Sequence, residues 1–197
     1  YVRTRTTPLN PQTPYQMEVR SVIPQLSSQW GTLTESQRSG WTALGKSAKE
    51  KDAFGNAREI SGIAAFNRSN SLNVLFSQAV LLDAPANLQV QSRPVVIANL
   101  EANQLSFTYS GAALPATHFF VLRLSTARIP AGQSFIKNLM RLAGFTAAPA
   151  PGAVSISFEE ERFLVMQDYR FYFKLQLFNA LTGGINLLEE GFILGNV

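Results

Sequence analysis

The chain has 197 residues, of which 46% are apolar and only 15% charged, with 12 Asn and 12 Gln among the polar remainder. That apolar fraction supports a packed core and excludes wholesale disorder. The absence of cysteine excludes disulfides, zinc–thiolate sites, iron–sulfur clusters and cysteine nucleophiles, and a single histidine excludes a multi-histidine metal site within one chain.

The formal charge is +4. Residues 1–80 hold nine Lys/Arg against five Asp/Glu, whereas residues 81–197 hold eight of each, so the whole excess lies in the first part. A nucleic-acid interface needs a dense basic stripe, usually with exposed aromatics. Here the cations are scattered, with local pairs at Arg3/Arg5 and Lys49/Lys51, which argues for a solvated face and a mildly basic arm. No apolar run reaches the ~18 residues of a membrane-spanning helix. The first thirty residues also lack the apolar stretch of a signal peptide.

Residues 1–14 contain three prolines and four threonines. Proline and β-branched threonine favour extended backbone, so this segment is expected to be an arm lying on another surface, with Arg3 and Arg5 as contact candidates. Tyr15, Val19, Val22 and Leu26 then fall on one helical stripe, which predicts a helix over 15–30 with a kink or break near Ile23 caused by Pro24. Tyr15 opens that stripe and is a further contact candidate. Thr34 followed by Gln37 fits a capping box and predicts a helix from about 35 to 50, with Trp41, Leu44 and Ala48 on its apolar face. Residues 51–56 carry turn chemistry. Ser61 is placed to cap a third helix over 62–77, with Ile63, Phe66 and Val74 as contacts. Asn67, Asn70 and Asn73 recur every three residues along it, either as an amide ladder offered to a partner or as a solvated face. Trp30, Trp41, Phe54 and Phe66 are the expected core of this small bundle.

After Asp83-Ala-Pro-Ala the period changes to two. Leu105, Phe107 and Tyr109 alternate with polar residues, as do Val154, Ile156 and Phe158, and 120–125 also reads as a strand; 134–146 fits a strand or a helix by period, since Phe135, Leu139 and Leu142 also fit 3.6, and is read as a strand. The clearest strand is 169–178, where Tyr169, Phe171, Phe173, Leu175 and Leu177 share one face. Thr182-Gly-Gly184 then turns the chain into INLLEEGFIL. The expected fold class is therefore α+β: an extended arm at 1–14, a helical domain at 15–82, and an antiparallel immunoglobulin- or fibronectin III-like β-sandwich at 83–197.

Catalytic chemistry finds little support. His118 lacks a nucleophile elbow or an orienting acid in its neighbourhood of sequence. The run Glu159–Glu161 and the pair Glu189/Glu190 suit a solvated strand edge, because adjacent carboxylates on one strand point to opposite faces. No catalytic, cofactor-binding or metal-ligating residue is assigned, and no cofactor, membrane or small-molecule partner is expected. Tyr172 and Phe178, on the polar face of the clearest strand, are the aromatic candidates for an adhesive or glycan contact.

The helical part also carries a recognisable string. It runs from Asn10-Pro-Gln-Thr-Pro14 through Val19-Arg20, Trp30-Gly-Thr-Leu-Thr34, Gln37-Arg38 and Trp41. It continues with Asp52-Ala-Phe-Gly-Asn56, Arg58, Ser61-Gly62 and Phe66-Asn-Arg-Ser-Asn70. Over residues 8–75 this resembles a group of uncharacterised open reading frames in bacteriophage and prophage structural modules, whose members commonly continue into a β-sandwich. Pro24 departs from the continuous first helix expected of them. The resemblance implies a non-enzymatic structural protein of a phage virion, such as a decoration, head-completion or tail component. It would self-associate, or dock on other virion proteins, through its arm and helices. The alternatives are a subunit of a bacterial extracellular filament or surface assembly, and a carbohydrate-binding or adhesive sandwich.

Overall fold

The structure is a computed structural model that describes residues 14–51, 54–101, 103–125, 140–158, 163 and 169–194. The chain divides into two compact units, Tyr1–Ala84 and Pro85–Val197. Among the described residues it combines three α-helices with antiparallel β-sheets.

In the first unit, α1 (Pro14–Thr32), α2 (Glu35–Ser47) and α3 (Gly62–Leu75) are joined by a two-stranded hairpin of β1 (Glu50–Lys51) and β2 (Ala57–Arg58). The expected break at Ile23 does not occur, since α1 continues through Pro24. Pro24 sits on the solvent side, while Val22 and Leu26 on either side of it are buried. Their burial holds the helix together across the lost backbone bond. Val19, expected on the same buried stripe, is 39% exposed.

The turn from α1 to α2 is built from side chains that satisfy orphan backbone groups. The Arg38 guanidinium donates to the carbonyls of Trp30 and Gly31 at the end of α1. Thr34 and Gln37 form the complete capping box at the start of α2. Ser61 caps α3, its hydroxyl accepting from the amide of Ala64.

The core of the unit is the Phe66 ring, which meets Trp30 at 5.5 Å and Trp41 edge-on at 5.3 Å between ring centres. Phe54 does not belong to it. This residue lies 91% exposed in the hairpin turn beside Gly55, whose φ of +88° forms the bend. Two glycines let the segments close on one another. A Cβ on Gly45 would stand 2.4 Å from the Ile60 carbonyl oxygen, and one on Gly62 would stand 2.6 Å from the Thr42 hydroxyl.

Among the described residues the second unit holds seven strands. β3 (Val95–Leu100), β4 (Gln104–Tyr109) and β7 (Gly152–Ser157) form a sheet in the order β3-β4-β7. β5 (His118–Ser125), β6 (Met140–Ala147), β8 (Arg170–Asn179) and β9 (Gly184–Leu194) form another in the order β6-β5-β8-β9. Every pairing is antiparallel. The alternation seen in sequence supplies one shared slab of side chains. Leu105, Phe107, Tyr109, Val154 and Ile156 from the first sheet pack with Phe120, Leu122, Leu124, Phe171, Phe173, Leu175 and Leu177 from the second. The unit is therefore a β-sandwich. Of the segment 134–146, residues 140–146 lie in β6 and the rest lies outside the described residues, as does the run Glu159–Glu161.

The two glycine contacts separate packing from helix propensity. Gly45→Ala should destabilise the helical unit by about 1–3 kcal/mol, because backbone cannot give way as a side chain can. Gly31→Ala should be neutral or stabilising by up to about 1 kcal/mol, since a Cβ there meets nothing within 4 Å. Urea unfolding followed by far-UV circular dichroism compares the two.

Candidate interaction surface

The outer face of the four-stranded sheet carries the richest set of exposed aromatic and charged groups, and it is built by cross-strand register. Tyr172 pairs with Phe192, Lys174 with Glu190 and Gln176 with Leu187. The backbone N–H of Tyr172 donates to the buried hydroxyl of Ser125, at 3.1 Å, which fixes β8 against the end of β5. The Tyr172 ring meets Phe192 at 5.3 Å and 72°, and the Arg170 guanidinium lies 5.4 Å from the centre of the same Phe192 ring. Lys174 and Glu190 form a salt bridge at 2.9 Å. Burial, then the charge and hydrogen bond of Glu190, raise the Tyr172 phenol above its ordinary value. Around this cluster Leu187, Phe192 and Leu194 are 40%, 46% and 56% exposed. Tyr172 and Phe192 meet edge to face, so they do not form the coplanar platform on which a sugar ring stacks.

Phe178 does not join Tyr172 on an open face. It is buried, with Phe119 at 6.5 Å, and Phe119 in turn lies 6.3 Å from Phe145. Alternation placed Phe178 on the polar side of its strand, but that side of the sheet is apolar at this end.

Next to the cluster, at the side of the sandwich where β3 and β9 end the two sheets, a groove of about 360 Å³ opens. Val95, Ile97 and Ala98 line it from β3, and the run Glu189, Glu190, Gly191, Phe192 and Ile193 from β9, with Phe173 of β8. Glu189 pairs with Leu175, a core residue, so the register sets it on the inward side of its strand. Glu189 is exposed on this edge strand, as the reading of a solvated edge expects. Its direction followed from a register shift between Leu175 and Gln176 that the alternation did not show.

The asparagines of α3 point mostly inward. Asn70 is fully buried and fastens the segment beyond the helix. Its amide nitrogen donates to the carbonyls of Phe66 and Leu81, and its oxygen accepts from the Leu81 amide at 2.7 Å. Trp41 holds the next residue, its indole N–H donating to the Leu82 carbonyl at 2.9 Å. Asn73 is also buried, and its backbone carbonyl accepts from Gln78. Asn67 is half-buried. Asn70 and Asn73 thus form neither a ladder offered to a partner nor a solvated face. Arg3 and Arg5 lie outside the described residues, and Tyr15 lies in α1 with its side chain outside them.

His118, at the start of β5, faces the Thr117 hydroxyl across 3.4 Å. Burial, then the Arg93 guanidinium, lower its pKa below 6.5, against a hydrogen bond to the Pro115 backbone that works the other way. Among the described residues no group of three or more His, Asp or Glu is placed to hold a metal ion, and no helix is long and apolar enough to cross a membrane.

No family model matches this chain, and no curated protein matches it. Several solved structures are similar. A fibronectin type III domain of human collagen XX is 13% identical, over 56% of this chain and 96% of that one, with a TM-score of 0.31. The sensor domain of an anti-sigma factor from Pseudobacteroides cellulosolvens is 11% identical, over 54% of this chain and 97% of that one, at 0.32. An AA10A structure from T. fusca is 11% identical, over 95% of this chain and 88% of that one, at 0.34. Scores this low carry no argument about what the chain binds or does.

Two outcomes follow from these environments. Asn70→Ala should cost about 1–3 kcal/mol in urea unfolding, because it strands the half-buried N–H and carbonyl of Leu81. His118 should titrate below 6.5 in a proton NMR titration, which is unambiguous because it is the chain's only histidine. With the folded value depressed, the neutral ring is favoured in the native state. Its contribution to stability is therefore present above pH 6.5 and is lost as pH falls through the folded value. Arg93→Gln should move the midpoint back up.

Proposed function

We propose that the chain is a non-catalytic assembly subunit of a bacteriophage particle, whose N-terminal arm and helical unit attach it to neighbours while a fibronectin type III-like sandwich presents contact surface. The observation that carries this reading is the outer face and edge at β9, where exposed Leu187, Phe192 and Leu194 surround the Tyr172 cluster beside an open groove. Such a surface offers area and hydrogen bonds to another protein. The sheet orders β3-β4-β7 and β6-β5-β8-β9 support the fibronectin-like description, since successive strands cross between the two sheets in Greek-key fashion.

The resemblance to phage structural modules gains support from what its residues do. Trp30, Thr34, Gln37, Arg38, Trp41, Ser61, Gly62, Phe66 and Asn70 each make a contact that holds the helical unit together. A chain that carries the string therefore has the means to build the same unit, and the virion is the location that follows from the resemblance.

Light scattering and negative-stain imaging of the full chain, beside a chain lacking residues 1–13, test the reading. Closed oligomers, tubes or sheets formed by the full chain and weakened by the truncation are expected. Monodisperse monomers in both samples would overturn it.

A further inference from the structure

We propose that the loop end of the sandwich that carries Arg93, Thr117 and His118 is a binding site for a phosphate- or sulfate-type dianion. The site is built from the second unit alone and does not depend on the assembly reading above.

The strand pairings bring four segments to this end. Val95 pairs with Tyr109, Tyr109 with Gly152, Phe119 with Ala147, His118 with Asn179, and Asn179 with Gly184. Residues 85–94, 110–117, 148–151 and 180–183 are therefore the loops of one end of the sandwich, and all of them are described. Backbone hydrogen bonds tie these loops to their neighbours: the amide of Ser110 donates to the Pro94 carbonyl, that of Ala148 to His118 and that of Ala180 to Thr117. Charge at this end is one-sided. The loops hold no Asp, Glu or Lys, and the charged or titratable groups here are Arg93 and His118, with Tyr109 at the end of β4 donating its phenol to the Pro149 carbonyl. Two half-buried basic groups thus share a place where these loops supply no carboxylate, whereas buried charge is ordinarily paired.

The Arg93 Nε is shielded from solvent and makes no hydrogen bond. A buried donor left in that state costs free energy, and it marks a position that a water or an ion completes. The Arg93 side chain lies against the Gly111 turn, where a Cβ would stand 3.6 Å from Cδ and 4.0 Å from Nε. His118 is near enough for the guanidinium charge to disfavour protonation of its ring, and the Thr117 hydroxyl lies 3.4 Å from its Nδ1. The end therefore offers a guanidinium fork, an imidazole N–H and a hydroxyl, which is the donor set of an oxyanion site. Charge selects the class of ligand. Arg93 and a protonated His118 together carry two positive charges, which a dianion of the phosphate type neutralises and a single carboxylate halves. A bound dianion also replaces the repulsion between the two cations with attraction, so binding is linked to proton uptake at His118.

The test follows the ring protons of His118 by NMR in the full chain, through pH titrations in sodium sulfate and in sodium chloride at equal ionic strength. The chloride series is needed because general screening of Arg93 also raises the midpoint. Sulfate stays a dianion throughout, so the linkage read is that of the protein. The midpoint should rise with sulfate and level off about 0.7 unit or more above its value in chloride, a fivefold preference for the protonated form. Acetate at the same ionic strength should give less than half that rise. Arg93→Gln starts from a higher midpoint and should lose the sulfate-dependent part, whereas Arg93→Lys, which keeps the charge without the fork, should retain a weaker one. Well above the second phosphate pKa of about 6, inorganic phosphate and glycerol 3-phosphate are both dianions, and the one that moves the ring signals at the lower concentration tells a free ion from a phosphoester. A midpoint that moves no further in sulfate than in chloride would overturn the site, as would an undiminished sulfate effect in Arg93→Gln. An acetate effect equal to that of sulfate would overturn the assignment to a dianion.

Discussion

β3 and β9 terminate different sheets, so among the described residues backbone hydrogen bonding does not close the sandwich on that side. Much of what is distinctive in the second unit answers to this constraint. An open edge exposes unpaired backbone groups and invites indiscriminate pairing. The register shifts at Ile97/Asn99 in β3, and the shift opposite Leu175/Gln176 places one extra residue in β9. Edge strand β6 carries a third shift through its pairing with β5, whereas the pairing of edge strand β7 with β4 is regular. Bulges of this kind twist an edge away from a flat template. In β9 the bulge also reorients the strand, so that Glu189 falls on the inward side and Glu190 on the outer one. Two adjacent carboxylates thereby point to opposite faces, and the outer one, Glu190, pairs with Lys174.

The helical unit is governed by a different economy of contacts. Three short helices cannot bury enough aliphatic surface to hold themselves, so they converge on one ring, Phe66, and on close backbone approaches at Gly45 and Gly62. Polar side chains then take over where packing is thin. Arg38 closes the end of α1, Thr34 and Gln37 open α2, and Asn70 and Trp41 pin Leu81 and Leu82 as the chain leaves α3. This explains why a recognisable string can be rich in Asn, Arg, Thr and Gly. Those residues are the fasteners of a small unit.

Local rules were legible where one principle acted alone. The capping box at Thr34, the Ser61 cap and the strand alternation of 169–178 emerged as read, because each depends on residues a few positions apart. Readings failed where tertiary contact outweighed local preference. Pro24 does not break α1, because Val22 and Leu26 are buried on both sides of it. Phe54 reads as core by its chemistry but sits at a bend that projects it outward. Asn70 reads as surface by polarity, yet a buried amide with three partners is well satisfied. The strand Val95–Leu100 gives no periodic signal although Val95, Val96 and Ile97 favour a strand, because a short apolar run lacks a period. The groove it lines was invisible for the same reason.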